Sequence, residues 1–256
     1  MLRDRVIFAL IYSSGSYNQS RNFRLQRVGG INWLETNYKF QKISFSLDEL
    51  IVLNATRGVK NTKEFGNAVS ELVRNVFIPI AAGGGITNMH DVELLFNSGA
   101  DKVVLNTSLY DNAYLVRKIV QRYGSQSVVA SIDYKILDGE AHIYINDGSE
   151  KINKSMRNYL KYVEELGVGE ILLNSIDKDG TGFGYDLATV KKYANAIDIP
   201  LIIMGGAGNE NHLSEGLNIN GVSAVATANL FNFIGDGLPL ARKFMLTQGA
   251  NLAKWE

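Results

Sequence analysis

The chain has 256 residues, with 26 basic and 26 acidic side chains, a formal net charge of zero and no cysteine. This composition excludes a disulfide-stapled scaffold and thiolate chemistry, and the balanced charge disfavours a dedicated nucleic-acid partner. The longest apolar runs are far shorter than the roughly 18 residues that span a bilayer, and the start lacks a signal-peptide pattern. We therefore expect a soluble cytoplasmic protein without a membrane partner.

Short apolar runs rich in valine and isoleucine recur along the chain, with amphipathic stretches between them. In chain order they are residues 6–12, 50–53, 78–82, 103–105, 128–132, 171–173, 199–204 and 222–226. Runs that do not alternate polar with apolar residues are typical of parallel strands covered by helices. Eight strand-helix units in about 250 residues predict an α/β protein with a closed (β/α)8 TIM barrel, and a doubly wound open sheet is the alternative.

The stretches between the runs carry helix and turn signals. Asp111 is placed to cap a helix that Gly124 ends, and a second amphipathic helix over 156–166 precedes Gly167. The pair Asp138-Gly139 predicts a small hairpin over 134–146, inserted after the fifth strand.

An internal repeat favours the barrel over the open sheet. When the sequence is shifted by 121 residues, Glu49 falls on Glu170, the segment 78–79 on 199–200, and Gly84-Gly85 on Gly205-Gly206. Two four-unit halves that close on each other account for this spacing, whereas an open sheet has no need of it. We expect one barrel domain over residues 1–256, with half-barrels at roughly 1–123 and 124–256.

Glycine-rich segments follow the third and seventh predicted strands, at residues 83–85 and 205–208. Adjacent glycines let backbone N–H groups approach a ligand, and the N-terminus of a following helix favours phosphate. Asn106 and Thr107 after the fourth strand, and Asn229 after the eighth, complete two candidate phosphate cradles. The alternative is that the glycines only form tight turns, but their repeat-related positions favour anion sites.

Two aspartates follow strands of the second half. Asp133 ends the fifth strand and Asp179 follows the sixth, and a carboxylate at such a strand end can act as a general acid or base. We favour a catalytic role for Asp133, whereas Asp179 before Gly180 is equally typical of a turn. The three histidines lack ligand spacing, so we expect no metal site and no cofactor.

Four charged residues lie at or just before the starts of predicted strands one, two, four and six. They are Arg5, Glu49, Lys102 and Glu170. Two positive and two negative side chains there can pair into a neutral ring across the lower mouth of the barrel, because pairing lowers the cost of partial burial. Charges before strands are common, so their spacing alone favours a plain role in stability.

Six segments together resemble the cyclase subunit of imidazole glycerol phosphate synthase. They are AAGGGI at 81–86, GADKV at 99–103, LNT at 105–107, YGSQSVV at 123–129, GEILLNSIDKDG at 169–180 and GGAG at 205–208. The similarity covers nearly the whole chain. It implies a two-fold symmetric (β/α)8 barrel with a glutaminase subunit docked beneath it. Ammonia would travel up the barrel to a site where a bisphosphate is cleaved and cyclised in histidine synthesis.

The resemblance also implies roles for individual residues. One phosphate site would use Gly84, Gly85, Asn106 and Thr107, and the other would use Gly180, Gly206 and Asn229. The family's ammonia gate would consist of Arg5, Glu49, Lys102 and Glu170, with Asp101 at the glutaminase interface. This match favours a functional role for the four charges over a role in stability alone.

The sequence departs from the family at the upper end of the first half. The family uses two carboxylates, and Asp133 matches the second while Ile11 stands in place of the first. Isoleucine cannot transfer a proton, so the two-carboxylate mechanism cannot operate as in the family. Gln19 replaces an expected lysine, Asn54 an aspartate, and Asn174 a threonine.

A paralogous branch, the acetamidino-modification proteins of surface-polysaccharide gene clusters, also lacks the first aspartate. The segment RVGGIN at 27–32 resembles that branch. The resemblance implies a barrel that receives ammonia from a glutaminase and passes it to a separate amidotransferase acting on a sugar, with a phosphorylated ligand as a further partner. The alternatives are an authentic cyclase in which Asp133 acts alone or with a substitute carboxylate, and a scaffold that has lost both activities.

Overall fold

The computed structural model describes residues 3–38, 40–43 and 45–254. The strands in this part of the chain are β1 (Arg5–Ser13), β2 (Ser16–Arg21), β3 (Arg24–Gly29), β4 (Glu49–Asn54), β5 (Ile80–Gly83), β6 (Lys102–Leu105), β7 (Val128–Leu137), β8 (Glu140–Ile145), β9 (Glu150–Ser155), β10 (Glu170–Ser175), β11 (Leu201–Met204) and β12 (Val222–Thr227).

The α-helices occupy the connections between strands and the end of the chain. They are α1 (Ile31–Tyr38), α2 (Phe40–Ile43), α3 (Thr62–Asn75), α4 (Met89–Asn97), α5 (Thr107–Asp111), α6 (Ala113–Tyr123), α7 (Met156–Glu165), α8 (Leu187–Tyr193), α9 (Glu210–Leu217) and α10 (Gly237–Thr247). Within the described residues, none of the helices is both long and apolar enough to cross a membrane.

Eight parallel strands of the described chain close into a barrel in the order β1, β4, β5, β6, β7, β10, β11 and β12. The closure is visible at Ile7 of β1, which is in register with Glu49 of β4 on one side and Ala226 of β12 on the other. The predicted (β/α)8 barrel is therefore confirmed, and the open-sheet alternative is excluded.

Two barrel strands begin later than their apolar runs. The runs starting at residues 78 and 199 enter the sheet only at Ile80 and Leu201, after Pro79 and Pro200. Proline has no backbone N–H for the ladder, although its carbonyl still accepts. The Pro79 and Pro200 carbonyls accept from the N–H groups of Leu50 in β4 and Ile171 in β10 at 2.9 and 3.0 Å, at equivalent points of the two halves.

Each half carries an antiparallel insertion on its first strand. The hairpin predicted over 134–146 is present, with its turn at Asp138-Gly139, and β9 adds a third strand to it. A second hairpin, formed by β2 and β3, follows β1 and was not predicted. Its strands are polar and its turn, Asn22-Phe23, lacks glycine, although both residues adopt positive φ.

The predicted cap at Asp111 is wrong. Asp111 ends the short helix α5, and the side chain of Asn112 accepts from the N–H of Leu115 to cap α6. Gly124 ends α6 with a φ of 88°, as predicted.

The barrel interior is filled by small and medium aliphatic side chains. It consists of Ile7, Ala9, Ile51, Ala81, Val104, Val129, Leu172, Ile202, Met204, Ala224 and Ala226. Larger residues such as Phe8 and Leu10 point the other way and pack under the helices, because successive side chains of a strand alternate between faces.

Candidate ammonia gate and upper cavities

Four charged side chains meet at the lower mouth of the barrel. Nη1 of Arg5 lies 3.0 Å from Oε2 of Glu49 and 3.0 Å from Oε2 of Glu170. Nζ of Lys102 lies 2.9 Å from Oε2 of Glu49 and 2.9 Å from Oε1 of Glu170. Each cation contacts both carboxylates, so the four residues form a neutral ring of alternating charge, which we call the floor ring.

The floor ring is largely withdrawn from solvent. Glu49 is only 2% exposed, and burial raises its pKa, while Lys102 and Arg5 act in the opposite direction. A carboxylate buried to this extent is stable in its ionised form only with close cationic partners. The ring therefore depends on its own pairing.

The surface around the floor ring holds the predicted contact residue Asp101, which is exposed directly before β6. Its Oδ2 accepts from the N–H of Ile80 at 2.8 Å, so it also fixes the start of β5. Phe77, 82% exposed, and Phe45 lie in the segments that precede β5 and β4, at the same end of the barrel. The floor thus combines an ionic centre with exposed aromatic side chains.

A cavity of about 800 Å³ lies at the opposite end of the barrel, which we call the first cavity. Asp133 lines it, and its Oδ1 and Oδ2 accept from Nδ2 of Asn174 at 2.9 Å and Nδ2 of Asn106 at 3.2 Å. Burial raises the pKa of Asp133 from 3.8 to about 7, more than the amide of Asn174 lowers it. Near neutral pH this carboxyl group can therefore both donate and accept a proton.

Asp179 also lines the first cavity, but its carboxylate holds the β2–β3 hairpin. Its Oδ2 accepts from Oγ of Ser20 at 2.5 Å and from the N–H of Phe23 at 3.0 Å. Burial raises its pKa. The hydrogen bond to Phe23 stabilises a bulky residue at a φ of 63°. Asp179 therefore has a clear structural task in the turn of the hairpin.

Three of the four residues at which the chain departs from the family, Ile11, Asn54 and Asn174, line the first cavity, and the fourth, Gln19, lines the second. Ile11 lines the first cavity at 7% exposure and brings no proton-transfer group. Gln19 is turned away toward the last barrel loop, where its Oε1 accepts from the N–H of Leu230 at 2.8 Å. Nδ2 of Asn174 donates to Asp133, as described above, and Oδ1 of Asn54 accepts from the N–H of Thr56.

The first predicted phosphate cradle opens into the first cavity, which Gly84, Gly85, Asn106 and Thr107 all line. Gly84 has a φ of 105°, and a Cβ there would strike the backbone of Asn54, so only glycine fits. Oγ1 of Thr107 accepts from the N–H of Asn146 in the β8–β9 turn.

Sequence analysis did not single out Lys60, Arg57 or Asp147, which also line this cavity. Nζ of Lys60 donates to Oδ1 of Asp147 at 2.8 Å and lies against Gly85. Nη1 of Arg57 donates to the carbonyl of Asp147, and Nη2 to the carbonyl of Phe23, both at 2.8 Å. The Asp147-Gly148 pair resembles an ordinary turn in the sequence, and only the fold brings it to the cavity.

The second predicted cradle lies in a separate cavity of about 980 Å³, on the other side of the β2–β3 hairpin, which we call the second cavity. Gly180 and Asn229 line it, and Oδ1 of Asn229 accepts from the N–H of Asn232 at 3.1 Å. Gly206, the third residue predicted for this cradle, is not among the residues that line the cavity, and its carbonyl accepts from the N–H of Gly184 at 2.8 Å. The hairpin therefore divides the upper face into two compartments.

Comparison with known proteins identifies relatives along the whole chain. Residues 21–235 match the family model described as histidine biosynthesis protein. A protein of Parasynechococcus marenigrum (strain WH8102), named "Putative imidazole glycerol phosphate synthase subunit hisF2", is 42% identical over 100% of this chain and 95% of its own length. The imidazole glycerol phosphate synthase subunit HisF of Hydrogenobaculum sp. (strain Y04AAS1) is 34% identical over 96% of both chains.

A third relative, the imidazole glycerol phosphate synthase subunit HisF of Pyrobaculum aerophilum, is 37% identical over 80% of this chain and 81% of its own. The matched segments include the floor strands and the loops of both upper cavities. The chain therefore belongs to the histidine biosynthesis protein family, within the group of HisF-like barrels that includes the cyclase subunit of imidazole glycerol phosphate synthase.

Proposed function

We propose that this chain is the barrel subunit of a glutamine-dependent amidotransferase assembly. It receives ammonia from a glutaminase docked at the floor and passes it to an amidation or amidination reaction in surface-sugar biosynthesis. One observation carries the proposal: a complete floor ring coexists with an upper cavity in which Ile11 stands where the family has its first carboxylate. The chain has kept the entrance and lost half of the cyclase chemistry.

The floor and interior are suited to a small neutral molecule. The ring carries no net charge, and rotation of one side chain opens it without leaving a carboxylate entirely unpaired, since each Glu contacts both cations. The aliphatic interior above it disfavours ammonium, because an ion in an apolar surrounding loses its hydration without compensation. Ammonia in its neutral form meets no such penalty.

The two ends of the barrel offer surfaces for different partners. Phe45 and Phe77 are exposed at the same end of the barrel as the floor ring and suit the glutaminase. At the upper end, Val59 is 96% exposed and Phe183 is 81% exposed, in the loops after β4 and β10. Exposed large apolar side chains can mark interaction sites, and we assign this upper face to the acceptor enzyme.

The test is a reconstitution of the chain with its glutaminase and the acceptor amidotransferase. Glutamine-derived nitrogen should appear in the acceptor product, with little free ammonia in solution. In Lys102→Ala the ring is broken, so glutamine hydrolysis should continue while ammonia escapes and product formation falls at least about tenfold. Lys118→Ala, an exposed lysine on α6, is the matched control and should behave as the wild type. Coupling that survives Lys102→Ala would overturn the proposal.

A second candidate is an authentic cyclase with an altered site. It is favoured by one observation, the presence of Asp147 in the same cavity as Asp133, where Asp147 serves as a substitute carboxylate. In this case the chain, its glutaminase, glutamine and the histidine-pathway bisphosphate should yield an imidazole product. Asp147→Asn should abolish it, whereas Asp138→Asn in the exposed β7–β8 turn should not. The amidotransferase proposal predicts no imidazole product from the wild type.

A further inference from the structure

The first cavity carries an excess of acidic side chains. One arginine and one lysine line it, against five aspartates, which are Asp91, Asp111, Asp133, Asp147 and Asp179. Both basic side chains lie close to a single carboxylate, that of Asp147, with Nζ of Lys60 at 2.8 Å and Nη1 of Arg57 at 3.7 Å. In the described part of the chain, the other four aspartates form no salt bridge. The cavity therefore favours a cationic ligand over an anionic one.

An unsatisfied hydrogen-bond acceptor lies beside Asp133 in this cavity. Asn174 is 3% exposed and in register with Asp133 on the neighbouring strand, and its Nδ2 donates to Oδ1 of Asp133. Oδ1 of Asn174, on the same carbon atom as this nitrogen, is buried and has no hydrogen-bond partner among the described residues. A buried acceptor without a donor costs free energy, and such groups are rare in folded proteins. Asn174 thus offers a place for a donor from a ligand.

The carboxyl group of Asp133 has acceptor capacity left over. An ionised carboxylate can accept about four hydrogen bonds, and Asp133 accepts from the neutral amides of Asn174 and Asn106. Burial has the largest effect in raising its pKa, and the negative charges of Asp147 and Asp179 raise it further. A cation bound here would oppose all three contributions. Asp133 and Asn174 therefore present two adjacent oxygen acceptors that suit a cationic donor.

The rest of the first cavity has room for an organic molecule. Its volume of about 800 Å³ lies in the range of small-molecule sites. Ile11 of β1 and Leu53 of β4 are in register, and both line the cavity together with Leu25 of β3. These apolar side chains suit a carbon skeleton, whereas a free ammonium ion would use little of the space.

We propose that the first cavity binds an amidinium group carried by a small organic molecule. An amidinium is a planar cation with N–H groups on two nitrogens, so one nitrogen donates to the carboxylate of Asp133 and the other to Oδ1 of Asn174. The carbon skeleton packs against Ile11. This inference goes beyond ammonia transfer and does not depend on it, because binding needs neither the glutaminase nor an intact floor ring. Either proposal can therefore fail alone.

Calorimetric titration of the full chain with benzamidinium chloride, at pH 8.5 and constant ionic strength, tests the proposal. At this pH Asp133 is largely ionised. Benzamidinium should bind at least about tenfold more tightly than its neutral analogue benzamide, because its donors are charged. Asp133→Asn and Asn174→Ala should each weaken benzamidinium binding by about tenfold, the typical effect of losing a charge-assisted hydrogen bond.

Two variants are matched controls for these substitutions. Asp138→Asn makes the same change in the exposed β7–β8 turn, and Asn195→Ala removes an exposed asparagine outside the cavity. Both should bind benzamidinium as the wild type does. If Asn174→Ala does not fold, the comparison of Asp133→Asn with Asp138→Asn decides the question.

Several results would overturn the proposal. They are equal affinity for benzamide and benzamidinium, no binding of benzamidinium, and the same loss of affinity in the control variants. Displacement of benzamidinium by an equal concentration of ammonium chloride would overturn it as well, because the site would then recognise ammonium rather than an amidinium.

Discussion

The two ends of this barrel surround their buried carboxylates with different hydrogen-bond partners. At the floor, four ionised side chains satisfy one another, and each cation lies within 3.0 Å of both carboxylates. At the upper end, Asp133 faces neutral amides from Asn106 and Asn174, and burial raises its pKa to about 7. Burial raises the pKa of both Glu49 and Asp133; at the floor the cations Lys102 and Arg5 oppose this increase, whereas at the upper end only neutral hydrogen-bond donors such as Asn174 do.

This difference shows that burial alone does not decide the protonation state of a carboxyl group; its hydrogen-bond and ionic partners contribute as well. Glu49 and Asp133 are both buried on barrel strands, yet only Glu49 has cationic partners within hydrogen-bonding distance. The four charges of the floor ring neutralise one another without a ligand, whereas the protonation of Asp133 changes with pH near neutrality.

The comparison is tested most strongly by Asp133→Asn. Because the folded pKa of Asp133 lies above its unfolded value, the native state binds the proton more tightly, and wild-type stability falls as pH rises from about 4 to about 7. The variant stays neutral, so its free energy of unfolding should gain on the wild type by up to about 4 kcal/mol between pH 4 and pH 8. Urea denaturation at both pH values measures this. Parallel pH profiles would contradict the asymmetry between the ends.

At the floor, Lys102→Met should destabilise the protein by about 3 kcal/mol at neutral pH, because it leaves Glu49 buried with a single cation. The double variant Lys102→Met/Glu49→Leu should recover most of this loss, since the remaining Arg5–Glu170 pair is intact and the new side chains are apolar. Chemical denaturation of both variants provides the measurement. A double variant less stable than the single one would mean that the ring is needed for stability itself.

Gly180→Ala tests how closely the β2–β3 hairpin packs on the Gly180 loop at the boundary between the upper cavities. Its Cβ would fall on the carbonyl oxygen of Ser20, so the β2–β3 hairpin must shift. Gly58→Ala is the matched control, because Gly58 also has a positive φ but no atom within 4 Å of the added Cβ. We expect Gly180→Ala to lose about 2 kcal/mol more than Gly58→Ala in urea denaturation. Equal losses would show that the hairpin does not press on this loop.

The smallest change in stability is expected for a substitution on the helical surface, away from both ends of the barrel. Arg122 and Glu93 form a salt bridge at 2.5 Å on the helical surface, with side-chain exposures of 54% and 37%. Solvent screens such a pair, so Arg122→Ala should change the free energy of unfolding by no more than about 0.5 kcal/mol. Thermal or urea denaturation suffices. A loss comparable to that of Lys102→Met would remove the distinction between the floor ring and an ordinary surface pair.

The barrel could be predicted because its strands are buried on both faces and carry a strong local pattern. The meeting of the four floor-ring residues could be predicted for a similar reason, because residues at the starts of parallel barrel strands lie at the same end. The β2–β3 hairpin could not be predicted, because its stability comes from distant contacts. Asp179 holds Phe23, and Gln19 reaches Leu230, more than a hundred residues away.

The candidate site was predictable only in part. Gly84 and Gly85 directly follow β5, and Asp133 lies within β7 just after its apolar run, so their neighbours in sequence locate them at the upper end. Lys60 and Asp147 reach the same cavity from a loop and from an inserted hairpin, and no local pattern links them. The even choice left open for Asp179 reflects the same limit, because its hydrogen-bond partners lie on another strand.

The guanidinium group of Arg57 donates to both insertions, through Phe23 at the tip of one hairpin and Asp147 in the turn of the other. The two insertions are therefore linked by one residue that belongs to neither of them, beside the first cavity that all three residues line. Asp179 and Lys60 hold the same two tips separately. Loss of the Arg57 side chain would thus uncouple the two tips from each other and leave each with an anchor of its own.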